Sequence, residues 1–322
     1  MRHGVVLFTS DRGIRPARAA QAAEAAGFDS FYVPEHTHIP VKREAPHPRT
    51  GTSRLPDDRY MRTLDPWVSL SMAAAVTSTI RLGTAAALPS QHDPIALAKT
   101  IASLDHLSGG RVTLGVGFGW NIEELTDHGV AATSRRTVLR EYLEAMQALW
   151  SQAEASYQGR FVRFGPSWAW PKPVQQPRIP ILLGAGGTER AFAWIARSAD
   201  GWLTTPAETD LEPKISRLAA VWREAGRVGA PQVAALAGKP EPDGLARWHA
   251  AGVTEALFGM PDRAEDEVIA YLGRLAGRLG VPPMQARDSS ANRFGERHSH
   301  ERQGKPQPKL SDPWAAGPSH PG

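Results

Sequence analysis

Between Gly4 and Leu279 the chain alternates short apolar runs with stretches of helical period eight times over, and few folds accept that pattern. The apolar runs are Gly4 to Thr9, Ser30 to Pro34, Ile80 to Ala87, Val112 to Val116, Ile179 to Leu183, Gly201 to Thr204, Gln232 to Leu236 and Glu255 to Phe258. The helical stretches are Arg15 to Ala26, Pro66 to Thr77, Ile95 to Leu107, Val138 to Trp150, Glu189 to Ser198, Pro213 to Val228, Asp243 to Ala251 and Ala264 to Leu279. Regular alternation of this kind builds a parallel sheet. Eight units in about 280 residues fit a closed (β/α)8 TIM barrel, a fold of about 250 residues plus insertions. An open doubly wound sheet is the competing arrangement, and it would leave edge strands where a barrel leaves none.

Local signals sharpen the boundaries. Gly27 is a helix stop, Asp65 a cap for the second helix, and Asp93-Pro94 a cap followed by proline in the tolerated first turn. Two stretches interrupt the rhythm. Thr37 to Arg62 is polar and Pro-rich and reads as a lid, and Tyr157 to Phe164 alternates around a glycine as a hairpin does. Residues 1–282 form the expected domain. From 283 to 322 the composition turns to Pro, Ser, Gly and charge, which predicts a disordered tail. His298 and His300 in that tail read as solvated side chains.

Composition excludes several classes. No apolar run approaches the length of a membrane span, and the N-terminal apolar patch is too short for a signal peptide, so a cytoplasmic protein with no membrane partner is expected. With no cysteine there is no disulfide, thiolate metal site or cysteine nucleophile. The net charge of +4 is split, since the tail's six Lys or Arg against four Asp or Glu leave +2 for the body, too little for a nucleic-acid footprint.

A barrel gathers the residues that follow its strands at one mouth. After the fourth strand come three alternate glycines, Gly115, Gly117 and Gly119, then Trp120 and Asn121, in RVTLGVGFGWNIEE. Main chain this bare suits a flat ligand lying against it, or a glycine-rich turn without one. Asn121 is placed to cap a helix, with Glu123 and Glu124 complementing its dipole. After the fifth strand, LLGAGGTERAF runs through a Gly-rich turn into a helix, so the amides of Gly186, Gly187 and Thr188 form a phosphate cradle or a plain turn. Thr9 and Ser10 follow the first strand, and Glu35-His36 ends the second. Histidine titrates near neutrality and a carboxylate can orient it, so Glu35 and His36 are the acid/base candidates, with a structural histidine as the alternative. His38, His47 and His92 lie nearby, but no metal-ligand spacing links them and no metal is expected. Trp67, Trp120, Trp168 and Trp170 fall in or near loops over the mouth and suit a flat, apolar ligand.

The segments VPEHTHIP, LDPWVSLSMAAAVTSTIRLGTAAALPSQHDPIALAKTIASLDHLSGGRVTLGVGFGWNIEEL, GRFVRFGPSWAWPKPVQ, PILLGAGGTERAF and ADGW, in this order, resemble the luciferase-like monooxygenase superfamily, and within it the coenzyme F420-dependent oxidoreductases. The resemblance runs from about residue 4 to about 280. It implies a deazaflavin, or alternatively FMN, at the mouth, and a non-prolyl cis peptide after the third strand, matching Ala85 to Ala86. It also implies cofactor contacts at Ala85, Ala86, Gly117, Phe118, Gly119, Trp120, Asn121, Gly184, Gly186, Gly187 and Thr188, with Glu35 and His36 as the catalytic pair. The implied activity is hydride transfer between the deazaflavin C5 and a small organic substrate. A reduced-FMN monooxygenase and a cofactor-binding protein without turnover are the alternatives. Members that oxidise sugar phosphates carry glutamate where this chain has Trp120, which disfavours that substrate class. GAGG replaces the more common GGGG, which requires a negative φ at Ala185. A homodimer is compatible with the resemblance.

Overall fold

A computed structural model describes residues 1–237 and 241–284. In chain order the elements are β1 (Arg2–Leu7), α1 (Pro16–Ala25), β2 (Ser30–Val33), α2 (Pro66–Val76), β3 (Arg81–Thr84), α3 (Pro94–Leu107), β4 (Val112–Gly117), α4 (Ile122–Asp127) and α5 (Arg135–Ser151). A hairpin of β5 (Ala155–Gln158) and β6 (Arg163–Ser167) follows. Then come β7 (Ile181–Gly184), α6 (Glu189–Ser198), β8 (Gly201–Leu203), α7 (Leu211–Glu224), β9 (Gln232–Ala237), α8 (Pro242–Ala251), β10 (Glu255–Met260) and α9 (Glu265–Leu279). The tail expected from residue 283, with His298 and His300, lies outside the described residues from residue 285 onward.

Eight strands close a parallel barrel in the order β1-β10-β9-β8-β7-β4-β3-β2. Closure is made by β1, whose Gly4 stands opposite both Ser30 and Leu257. The strands read as near-continuous apolar runs because they are covered on both sides, by the lumen within and the helices without. Tyr32, Leu182, Leu203, Ala234 and Leu257 fill the lumen, with Ala85 and Ala86 packed on that cluster. A larger shell, among it Phe31, Leu114, Val116, Phe192 and Trp202, joins the outer strand faces to the helices. Near the opposite end of the barrel, Tyr32 donates its hydroxyl to the buried Glu255 at 3.1 Å.

The helix ends expected at Asp65, Asp93 and Gly27 form. Asp65 accepts from the Val68 amide and Asp93 from the Ala96 amide, both at 2.8 Å, and Gly27 ends α1 with φ +89°. Most boundaries shift by up to three residues, and two elements end three or more residues short of expectation. The third strand stops at Thr84 rather than Ala87, because the chain turns at the cis Ala85–Ala86 peptide and Ala87 makes only an isolated bridge to Val116. The seventh helix stops at Glu224 rather than Val228, since Gly226 takes a left-handed backbone and Val228 is exposed. Among the described residues no helix is long and apolar enough to cross a membrane.

Candidate functional site

The C-terminal ends of β2, β3, β4 and β7 meet at the mouth. A methyl group on Gly117 would stand 3.6 Å from the Ala86 Cβ and one on Gly184 3.3 Å from it, so three of the expected cofactor positions from three elements converge. Ala85 and Ala86 pack on the cluster that contains Leu182 and Leu203, which makes an apolar floor. The three alternate glycines serve three purposes. A Cβ on Gly115 would collide with the Thr84 carbonyl, so that glycine lets β3 and β4 approach each other. Gly117 leaves ordinary contact room over the floor, and Gly119 adopts φ +75° in open space, where the chain turns. Only Gly117 of the three lies bare on that floor.

Asn121 stands at the N-terminus of α4 but does not cap it. Its side chain is 1% exposed, and neither its Oδ1 nor its Nδ2 has a hydrogen-bonding partner among the described residues. The Thr9 hydroxyl after β1 and the Ser90 hydroxyl after β3 are likewise buried without one. Buried polar groups left in this way cost about 1 to 3 kcal/mol each, and they cluster where a ligand completes the structure.

His36 closes on Glu124, with Nδ1 to Oε2 at 2.8 Å, and the second oxygen of Glu124 accepts the Thr37 amide at 3.1 Å. Both side chains are buried. An ionised carboxylate only accepts, so it places a proton on Nδ1 and leaves Nε2 for another partner. Glu35 takes a different position. Its Oε2 accepts the Leu88 amide at 2.5 Å and its Oε1 meets His92 Nε2 at 2.6 Å, so both oxygens fasten the turn that carries Ala85 and Ala86. Burial alone would push the His92 imidazole down, but the bond to Glu35 and its charge outweigh it and hold His92 above its ordinary value.

The excursion from Thr37 to Arg62 folds over His36. Glu123, on α4, accepts the Glu44 and Ala45 amides at 2.6 and 3.1 Å and pins it down. A one-turn helix at its end brings Tyr60 to 5.5 Å from the His36 ring and 4.6 Å from Phe8. Trp120 meets His36 edge-on at 5.7 Å and His47 at 4.8 Å, while His47 Nε2 pairs with the Tyr60 hydroxyl at 2.8 Å. Burial, and then the charge of His36, holds the His47 imidazole below its ordinary value. The histidine is thus enclosed by Phe8, Tyr60, Trp120 and His47.

The β7–α6 turn forms the other end. Thr188 caps α6 through its hydroxyl, which accepts the Ala191 amide at 3.3 Å. The Thr188 amide turns back to the Gly186 carbonyl at 2.8 Å, so it is not one of the cradle's outward donors, contrary to expectation. The Gly187 amide is outward and donates to Glu208 Oε1 at 3.0 Å. Glycine at 187 answers to space, because a Cβ there would press on Trp202 and Lys214 at 3.1 and 2.9 Å. Ala185 has no positive φ, as the substitution requires.

Three other expectations are corrected. Phe118 faces away from the mouth, under Arg136 at 4.3 Å and against Trp194 at 5.8 Å, because side-chain direction alternates along a strand and its extension. Only its backbone remains near the site. Trp67 is buried in the shell between helices and strands. Trp168 and Trp170 are exposed, and Trp168 borders a cavity of about 390 Å³ between α3, α5 and the segment after β6. Trp120 alone of the four stands with the histidines. Among the described residues no group of His, Asp and Glu is arranged to hold a metal ion. Glu124 and Tyr60 were not singled out as site residues, and no spacing announces either.

A closed parallel barrel thus gathers an apolar floor, an enclosed histidine and a Gly-rich turn at one mouth, the end where barrels of this kind place their functional residues. The chain belongs to the luciferase-like monooxygenase family, whose model matches residues 11–240. An uncharacterised protein of Mycobacterium tuberculosis is 67% identical over 279 residues, 87% of this chain and 99% of its own length. The F420-dependent hydroxymycolic acid dehydrogenase of the same organism is 29% identical over 231 residues, 70% of this chain and 58% of its own length. Among solved structures, the monooxygenase RslO1 from Streptomyces bottropensis superposes with a TM-score of 0.66 at 20% identity, covering 87% of this chain and 98% of its own. The coenzyme F420-dependent tetrahydromethanopterin reductase of Methanopyrus kandleri does so with 0.61 at 19%, covering 85% and 97%. At these identities the solved structures establish the shared fold.

Proposed function

We propose that this protein is an F420-dependent oxidoreductase that exchanges a hydride with a small organic substrate at the barrel mouth. The observation that carries the reading is Asn121, a buried carboxamide four residues after Gly117, whose donor and acceptor are both unpartnered among the described residues. A carboxamide in that state suits the alternating carbonyl and N–H edge of a deazaflavin or flavin ring. Sequence similarity to an F420-dependent dehydrogenase supports the deazaflavin over FMN.

When bound, the deazaflavin would supply C5 as the hydride acceptor or donor. Ala85, Ala86, Gly117 and Gly184 would hold the ring, Asn121 its polar edge, and the turn of Gly186 and Gly187 its phosphate. His36, with its proton held on Nδ1 by Glu124, offers Nε2 to take or return the substrate proton. Glu35 fastens the Ala85–Ala86 turn and acts by position rather than by proton transfer. Phe8, Tyr60 and Trp120 exclude water and present an apolar wall, which favours a substrate with an apolar body. The outward face of α2 exposes Val68, Met72 and Val76, which supports association of two copies.

Titration of the purified chain with F420 and with FMN, followed by fluorescence, tests the cofactor. FMN binding without F420 binding would refute the reading in favour of a reduced-FMN monooxygenase. Replacing His36 by alanine is expected to lower turnover by about 10²- to 10⁴-fold, the usual weight of a general acid or base, with cofactor affinity nearly unchanged.

A further inference from the structure

Glu208 lies on the connection between β8 and α7, outside any helix or strand. One oxygen accepts the Gly187 amide at 3.0 Å, and the other pairs with Lys214 Nζ at 2.5 Å. The amide assigned to an incoming phosphate therefore already carries an oxyanion, supplied by the chain itself. Gly186 adds to this. Within 4 Å of where its Cβ would stand, the one heavy atom among the described residues is Glu208 Oε1, at 3.3 Å.

We propose that Glu208 is a displaceable internal anion, which occupies the α6 cradle until a phosphate-bearing ligand takes the Gly187 amide and inherits Lys214 as its counter-charge. The inference rests on reading this turn as the phosphate end of the cofactor site. Its physical basis is that the two partners of Glu208, an outward amide at a helix N-terminus and a lysine ammonium, are the partners a phosphate takes. Two anions cannot share them, because like charges at contact distance repel strongly. Those two are the polar contacts of the Glu208 carboxylate among the described residues, and it lies on a connection outside any helix or strand, so its departure asks for a change in that connection and not in the barrel strands. Lys214 is anchored independently by the Thr209 carbonyl at 3.1 Å and stays in place when Glu208 leaves.

The shared ligand chemistry is a phosphate ester, and calorimetric titration of the full chain separates its sources. Wild type, Glu208→Gln and Lys214→Met are titrated with inorganic phosphate, FMN, F420 and riboflavin. Glu208→Gln is expected to bind inorganic phosphate and the phosphate-bearing cofactor at least tenfold more tightly, with riboflavin unchanged, and Lys214→Met at least tenfold more weakly. A Glu208→Gln protein that is folded by circular dichroism and binds phosphate no better than wild type, or not at all, overturns the proposal. Glu208→Ala is the second variant should the glutamine protein misfold. If wild type binds neither cofactor, the cofactor reading fails while the phosphate arm still decides for or against displacement. If a cofactor binds wild type and Glu208→Gln equally, displacement fails and the cofactor reading stands.

Discussion

Replacing Glu124 by glutamine keeps the volume of a fully buried side chain and removes only its charge. In the wild type one oxygen faces His36 Nδ1 and the other the Thr37 amide, so both partners are donors. A carboxamide offers one acceptor and one donor, and a donor must then face a donor at one of the two contacts. If His36 takes a proton during turnover, the imidazolium and the carboxylate stand about 4 Å apart between charge centres, where an effective dielectric of about 20 makes the attraction about 4 kcal/mol. Hydrogen bonds to charged groups return about 1.5 to 3 kcal/mol net, and we take about 2 to 3 kcal/mol as what the substitution removes from the protonated state. That corresponds to a loss of about 30- to 150-fold in turnover.

The assay is steady-state turnover with the bound cofactor, together with cofactor titration. The loss should fall on turnover, while cofactor affinity stays within about twofold. Glu124→Ala should in addition leave the His36 and Thr37 donors unpaired, at about 1 to 3 kcal/mol each, and should melt earlier for that reason. Asp127→Asn, which removes only an exposed contact with His38, is the control and should leave turnover unchanged. A folded Glu124→Gln protein with wild-type turnover would refute the assignment of Glu124 as the residue that positions His36.

Gly115→Ala should destabilise the barrel by about 1 to 3 kcal/mol or more in urea melts, because its Cβ meets the Thr84 carbonyl, whereas Gly117→Ala, with ordinary contacts at 3.5 and 3.6 Å, should leave stability within about 1 kcal/mol and weaken cofactor binding. Equal stability losses in the two would contradict their separate roles. Asn121→Ala removes no hydrogen bond from the cofactor-free chain, so it should leave stability unchanged or slightly raised while costing about 1 to 2 kcal/mol of cofactor affinity; a large stability loss would show that the carboxamide has a structural partner. The His92 imidazole is raised in the folded state by Glu35, so its stabilisation is complete below the unfolded value near 6.5 and is lost as pH rises through the raised folded value. The stability gap between wild type and His92→Asn should accordingly be wider at about pH 5.5 than at about pH 8.5, and an equal gap would refute the charged pair.

Most of the barrel was legible because its determinants are local. A cap such as Asp93, a stop such as Gly27 and an apolar run such as Val112 to Val116 each act within a few residues, and parallel closure then carries every strand end to one mouth. A list of strand-following residues is for that reason already a ring in space, and Ala86, Gly117 and Gly184 meet in it. Strand alternation also encodes the direction of side chains along that ring. Leu114 and Val116 belong to the outer shell, so the alternation of a strand sends Phe118 outward as well and keeps Gly115 and Gly117 facing in. What no local pattern encodes is the partner across the mouth. Glu124 reaches His36 across 88 positions of sequence and Glu208 reaches Gly187 across 21, both from segments whose own spacing serves a helix start or a turn. The same limit explains why a glycine-rich turn and a phosphate cradle look alike in sequence. The turn's amides are set by nearby residues, but whether an anion rests on them depends on a carboxylate that a later strand delivers, and in this chain it delivers one.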